Sequence, residues 1–523
     1  MSGVMSQQPF RRSSLGAPRL GQRRAPFGLG APKGRRSPLG SPQVAHPACP
    51  SLPERSCHHP LTDHEGNRQL AYCEDSVTGR FDRIVPFLKD VAALPRDGQL
   101  GDRIQAMAHD RLGHGFDQAL VTDSWINGPD LRGLFASATF EALNAAARQF
   151  GRKLEDQKND ALSTSSFFLD CGFHAIDISP CSDGRLKGLM PFILRLPAWS
   201  FTYRKAYAGA LFDVEEDLQL WSEVELRRFR EGVPSRADEG TRYLKIAVYH
   251  GSSSDPNHEG CAAHGSDERK AAEAALDRLQ AFRQAVENTY CCGASTDILL
   301  VGVDTDTDAI RVHVPDANGD LSVHRYVDNA FLYKETLDLD REAARRAVYD
   351  AIRSVNETDD WGRSTSGEPH DGMRRFIATL LVNNLSQIDY VTERHQGRYP
   401  AESIGHAERY ISVGDGFEEV QMRNLAYYAH LHTVEENTND LDVGIKIFRK
   451  LNVSHGLPIP IAIHFRYDGR VPGGRDRAVA RAQRVCNAIR ERHHALDEQN
   501  MLFFQLTVQD RPSGSEIEEV SQA

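Results

Sequence analysis

No run of about twenty apolar residues occurs anywhere in the 523-residue chain, so no transmembrane helix is expected. The amino-terminal stretch lacks the apolar core of a secretory signal, and the chain is therefore expected to stay inside the cell. Only nine cysteines are present, and in a long intracellular chain they read as free thiols or metal ligands, not as a disulfide framework. The first fifty residues contain no Asp or Glu at all, but they carry eight Lys and Arg. The net charge of −11 therefore hides a cationic tail attached to a strongly acidic remainder. A composition of 40 % hydrophobic and 26 % charged residues is that of a soluble globular protein, and the length points to about three domains.

Residues 1–52 are rich in Pro, Gly, Ser and Arg and bury too little to offset ordering entropy, which predicts a disordered tail. A short unit recurs in it: Leu15-Gly16-Ala17-Pro18, Leu29-Gly30-Ala31-Pro32 and, more loosely, Leu39-Gly40-Ser41-Pro42. Such a tail suits an acidic protein surface or nucleic acid; a solvated linker is the plain alternative. From 53 to 155 the periodicity is helical, in segments around Phe81–Leu88 (delimited or kinked by Pro86), Arg103–Leu112 and Asp130–Phe150, with no catalytic constellation. Cys57, His58 and His59 form a possible metal tract, more simply read as an incidental loop cluster.

From 156 to 405 the pattern becomes α/β. His174–Ser179 alternates as a half-buried strand, which Pro180 ends by removing a backbone donor. Tyr243–Tyr249 reads as a buried strand ending at His250, followed by a Ser/Gly/Pro/Asn loop to Cys261. A helix capped by Ser266 and ended by Gly293 then leads into the strand Asp297–Val303. This order favours a mostly parallel sheet. Residues 406–523 repeat the plan faintly: Tyr410–Phe417 resembles the first strand and turn, and Leu457–Phe465 resembles the strand before His250. Aligned on Asp–Gly, Val413 stands at the place of Cys181 and Phe465 falls opposite His250, so the second copy keeps packing and loses chemistry.

Ligands gather at the carboxyl ends of strands in such sheets. There the chain places Cys181, Asp183 and Arg185 at alternate positions, with His250 and Cys261 at the next strand end. Thiolate, imidazole and thiolate suit zinc, and a catalytic zinc keeps a position for water. His258, in His258-Glu259-Gly260-Cys261, competes with His250; His250 is favoured because its backbone is fixed in a strand. Asp183 can accept a hydrogen bond from the reacting water, and Arg185 can hold that carboxylate ionised and aimed. His406, near the junction of the two copies, is a candidate proton carrier, and a surface histidine is the plain reading.

At these residues the chain resembles the β-class carbonic anhydrases, whose hallmark is Cys-x-Asp-x-Arg followed by a His and a Cys. The longer loop between His250 and Cys261, the helical region and the degenerate second copy resemble the divergent carboxysomal shell branch of that class. The resemblance implies a catalytic zinc domain (156–405), with one Zn²⁺ held by Cys181, His250 and Cys261. A zinc-free copy (406–523) would follow it, and a helical domain (53–155) and the basic tail would precede it. It implies reversible hydration of carbon dioxide to bicarbonate inside a carboxysome, supplying Rubisco, in a homodimer or larger assembly. The tail would meet Rubisco or shell protein, with no membrane or nucleic acid involved. Two rivals remain: a scaffold whose zinc is closed by a fourth ligand such as Asp183, and a metal-free cysteine hydrolase using Cys181 with His250. Two thiolates neutralise Zn²⁺ and make its water less acidic than three imidazoles would. Hydration activity is therefore expected to rise through the neutral-to-alkaline range; a flat rate–pH profile would exclude two thiolates on the metal.

Overall fold

The computed structural model describes residues 58–121, 128–197, 202–231, 242–290, 296–357, 367–400, 407–415, 420–429, 438–511 and 515–521. The expected basic tail, Cys57, Gly293 and His406 lie outside the described residues. Apolar runs bounded by Pro, Gly or polar loops form two sheets. The first contains β1 (Phe173–Pro180), β2 (Thr202–Arg204), β3 (Arg242–Gly251), β4 (Thr296–Asp304), β5 (Ile310–His313) and β6 (Tyr326–Asp328), in the spatial order β2-β1-β3-β4-β5-β6. β2, β1, β3 and β4 run parallel, and β5 and β6 return antiparallel. The second contains β7 (Tyr410–Gly414), β8 (Ala426–Ala429), β9 (Ile459–Tyr467), β10 (Leu502–Asp510) and β11 (Glu518–Val520), in the order β11-β10-β9-β7-β8, with only β11 antiparallel. The molecule is thus a mixed α/β protein with two parallel-rich sheets.

Parallel strands need crossovers, and helices supply them. Helix Glu268–Tyr290 joins β3 to β4, and its buried Ala272, Leu279, Phe282 and Val286 form the expected stripe. Its cap is Asp267 rather than Ser266. Asp267 accepts from the Lys270 N–H at 3.1 Å, whereas Ser266 sits at φ 66° in the left-handed region, just outside the helix. In the helical region the break falls at Arg83, between helices His64–Asp82 and Ile84–Ala93. Pro86 lies in the first turn of the second, where its missing N–H has no intrahelical role. Asp130 caps the helix Leu131–Asp170, which leads into β1.

β1 departs from expectation: all eight of its residues are buried. Its polar positions Asp177 and Ser179 face a charge, not water. The ammonium of Lys245 on β3 donates to Asp177 Oδ2 and Ser179 Oγ, both at 2.8 Å, and pairs with Asp217. The Phe212 ring lies 4.3 Å beneath it. Burial pushes the Asp217 carboxyl up to about 6, against the pull of Lys245. Lys205, 3.7 Å from Asp217, is the other nearby cation.

Removing the cation while both carboxylates stay inside is the costly kind of change. Lys245→Met is expected to lower unfolding free energy by about 3–5 kcal/mol in urea denaturation. A change below about 1 kcal/mol would mean that the cluster is already neutral.

Candidate metal centre

β1 ends at Pro180, and the chain turns at once. The Cys181 N–H donates to Val248 O of β3, and the Ser182 N–H to Tyr207 O, each at 3.0 Å. Asp183 caps a single 3-10 turn, Gly184–Leu186, by accepting from the Arg185 N–H at 2.9 Å. His250 is the penultimate residue of β3 and is fully buried. Cys261, also buried, closes the loop that leaves β3. That loop is held by the carboxyl end of β4. Asp304 accepts from the Ser253 N–H and hydroxyl, and Asp306 accepts from the hydroxyls of Ser252 and Ser253 and from the Ser254 N–H.

These supports bring one ligand atom each from Cys181, His250 and Cys261 within 4.8 Å of one another, and among the described residues no fourth protein group completes that set. The two sulfurs are 3.9 Å apart. Their hydrogen bond, together with burial, pushes the Cys181 thiol well up, and the same hydrogen bond pulls Cys261 down. Neither ring nitrogen of His250 has a hydrogen-bond partner, and Nε2 lies 3.5 Å from Asp183 Oδ2. A buried imidazole with no hydrogen bond to either ring nitrogen, beside two sulfurs 3.9 Å apart, is a donor set that zinc fits.

Arg185 is fully buried and grips Asp183 at two points, Nε on Oδ1 and Nη2 on Oδ2, both at 2.8 Å. Its Nη1 donates to Glu259 O at 2.8 Å and to Thr305 Oγ1 at 3.1 Å. Burial opposes the charge on Arg185, but Asp183 overrides it and holds the guanidinium above its ordinary range.

The rival His258 is on the surface, its side chain 78 % exposed and paired with Asp255. His264 is partly buried, with Nε2 3.2 Å from Gly209 O. His58 pairs with Asp389 and Glu393; because Asp389 already accepts from the His59 N–H, the Thr62 hydroxyl and the Tyr333 hydroxyl, this cluster anchors the helical region. His59 is buried, which lowers it to about 4.

The second sheet reaches the same turn, which the sequence did not announce. Gly184 donates to Glu408 Oε1 at 3.1 Å, the Asn424 N–H donates to Gly184 O at 2.9 Å, and the Tyr428 N–H donates to Ser182 O at 3.2 Å. The run Asp304-Thr305-Asp306-Thr307-Asp308 was the available signal for the β4 end, and it reads in isolation as a polar turn.

Three family models match the chain in succession: Carboxysome Shell Carbonic Anhydrase, N-terminal, over residues 59–151; its catalytic domain over 163–406; and its C-terminal part over 407–523. The carboxysome shell carbonic anhydrase of Halothiobacillus neapolitanus is 61 % identical over 507 residues, covering 96 % of this chain and 98 % of that protein. That of Prochlorococcus marinus strain MIT 9313 is 45 % identical over 503 residues (93 % and 95 %), and that of Hydrogenovibrio crunogenus is 43 % identical over 461 (86 % and 84 %). The chain belongs to the carboxysome shell carbonic anhydrase family.

Proposed function

We propose that this chain interconverts carbon dioxide and bicarbonate inside a carboxysome, supplying Rubisco, at one zinc ion held by Cys181, His250 and Cys261. The observation that carries the reading is a set of three buried ligand atoms beside a carboxylate whose two oxygens are both held by Arg185. A structural zinc is usually closed by four protein groups, whereas a catalytic one uses three. Zinc bound there supplies Lewis-acid activation of a water molecule near neutral pH. The remaining work is done by side chains. The two thiolates balance the charge of the ion. Asp183 accepts a hydrogen bond from the attacking water and so fixes the direction of its lone pair. Arg185 keeps Asp183 ionised and prevents it from swinging toward the ligands. His406 is proposed to carry the proton away.

The second sheet is read as a zinc-free copy of the first. Its order β8-β7-β9-β10-β11, with only the last strand antiparallel, matches β2-β1-β3-β4-β5. With Val413 at the place of Cys181, the registers Pro180↔Val248 and Val413↔Ile463 bring His464 to the position of His250, one residue before the Phe465 expected from sequence. His464 is spent on packing: Nδ1 lies 2.9 Å from Thr507 Oγ1, and burial lowers it to about 3. The copies form the catalytic unit together, and chains are proposed to pair into a homodimer or larger assembly. The basic tail, residues 1–52, is proposed to tether the enzyme to Rubisco or shell protein.

Metal analysis paired with a carbon dioxide hydration assay tests the site. Wild type is expected to hold about one zinc per chain and to hydrate carbon dioxide, and Cys181→Ser to lose most of both. Stoichiometric zinc without hydration would leave a scaffold, and activity that survives a strong chelator would exclude the metal. Deleting residues 1–52 is expected to release the protein from carboxysomes with its catalysis intact; a truncated protein that stays in them refutes the tether.

A further inference from the structure

Thr305 touches two of the elements that build the centre. Its N–H and its hydroxyl both donate to Gly251 O at 2.9 Å, one residue beyond His250. The same hydroxyl accepts from Arg185 Nη1 at 3.1 Å, and Arg185 in turn holds Asp183 and, through Glu259 O, the chain two residues before Cys261. The carbonyl of Thr305 is held from the other side of the molecule. Arg423, in the segment between β7 and β8, donates from Nη2 to Thr305 O at 2.6 Å and from Nη1 to Asp308 Oδ1 at 3.0 Å. Its guanidinium lies 3.9 Å over the Tyr399 ring.

Asp308 is itself fixed. Its Oδ2 accepts from the Tyr399 hydroxyl at 2.8 Å and from Gln387 Nε2 at 2.9 Å, and its backbone is in the left-handed region at φ 56°. The polar run at the end of β4 is thus the place where Arg423 of the second half meets Thr305, whose hydroxyl accepts from the guanidinium paired with Asp183. We infer that Thr305, Asp308 and Arg423 are positioning residues for hydration: Arg423 and Asp308 set Thr305, and Thr305 sets the Arg185–Asp183 pair. The inference rests on the proposed role of Asp183 toward the attacking water. It assigns the second half a part in catalysis that needs no metal ligand of its own.

The test uses the full-length, zinc-loaded protein. Thr305→Val removes one acceptor of Arg185 and the hydroxyl's hold on Gly251 with little change in volume. kcat/KM per bound zinc is expected to fall about 10- to 100-fold while zinc stays at one per chain, and Thr305→Ser is expected to restore most of it. Arg423→Met should fall about 10-fold, and the double variant should be no worse than Thr305→Val, because both act through one guanidinium. Crystal structures give a second readout, with Arg185 in Thr305→Val turned out of its two-point pairing with Asp183.

Wild-type kcat/KM in both single variants, losses that multiply, an unmoved Arg185, or a fall matched by equal loss of zinc would each overturn the inference. Asp308→Asn, which keeps the side-chain shape, carries the same expectation if Thr305→Val does not fold. Asp183→Asn separates the two levels. If it hydrates at the wild-type rate, the reading of the site itself fails; if it is inactive while Thr305→Val is normal, only the positioning inference fails.

Discussion

One buried guanidinium holds the centre in shape. Arg185 has no access to solvent, and its hydrogen bonds reach three different segments: Asp183 beside the first cysteine, Glu259 beside the second, and Thr305 against the residue after His250. A buried cation is tolerated only when it is paired and its donors are met, so its geometry fixes theirs. The planar fork is suited to this, because its donors diverge in fixed directions, which an ammonium could not do. The grouping of Cys181, His250 and Cys261 is therefore supported by hydrogen bonds among the protein's own groups.

The turn that carries Arg185 leaves no room for variation. A β-carbon at Gly184 would lie 2.4 Å from Cγ of Glu408, so only glycine lets the second half approach that closely. Across that approach run the hydrogen bonds of Glu408, Asn424 and Tyr428 to residues 182–184. The second sheet thus braces the turn that carries Cys181 and Arg185.

Much of the centre was legible from strand ends. Pro180 marks where β1 stops, and His250 and Cys261 follow from the next strand and its loop. The strand histidine His250, not His258, is the one grouped with the two cysteines, because regular backbone costs no extra ordering to hold a side chain there, and His258 is out in solvent. Other features were beyond a one-dimensional pattern. Alternation in β1 could not distinguish a wet face from one pressed on a buried ammonium, so Asp177 and Ser179 passed for surface positions. Thr305 and Asp308 looked like ordinary turn chemistry, because what they serve, Arg185 and Arg423, stands more than a hundred residues away on either side. Under the proposed alignment of the two sheets, counting from strand ends puts Phe465 opposite His250 and the strand registers put His464 there, because register is set by hydrogen bonds between strands.

The brace from residues 408–428 onto 182–184 belongs to the same polypeptide as the turn it supports. Two separate subunits meeting at such a junction would part on dilution, and their sites would come apart with them. Here tethering fixes the local concentration of the supporting surface whatever the amount of protein present. A single copy in a crowded compartment, or a trace released from it, keeps the same environment around Cys181.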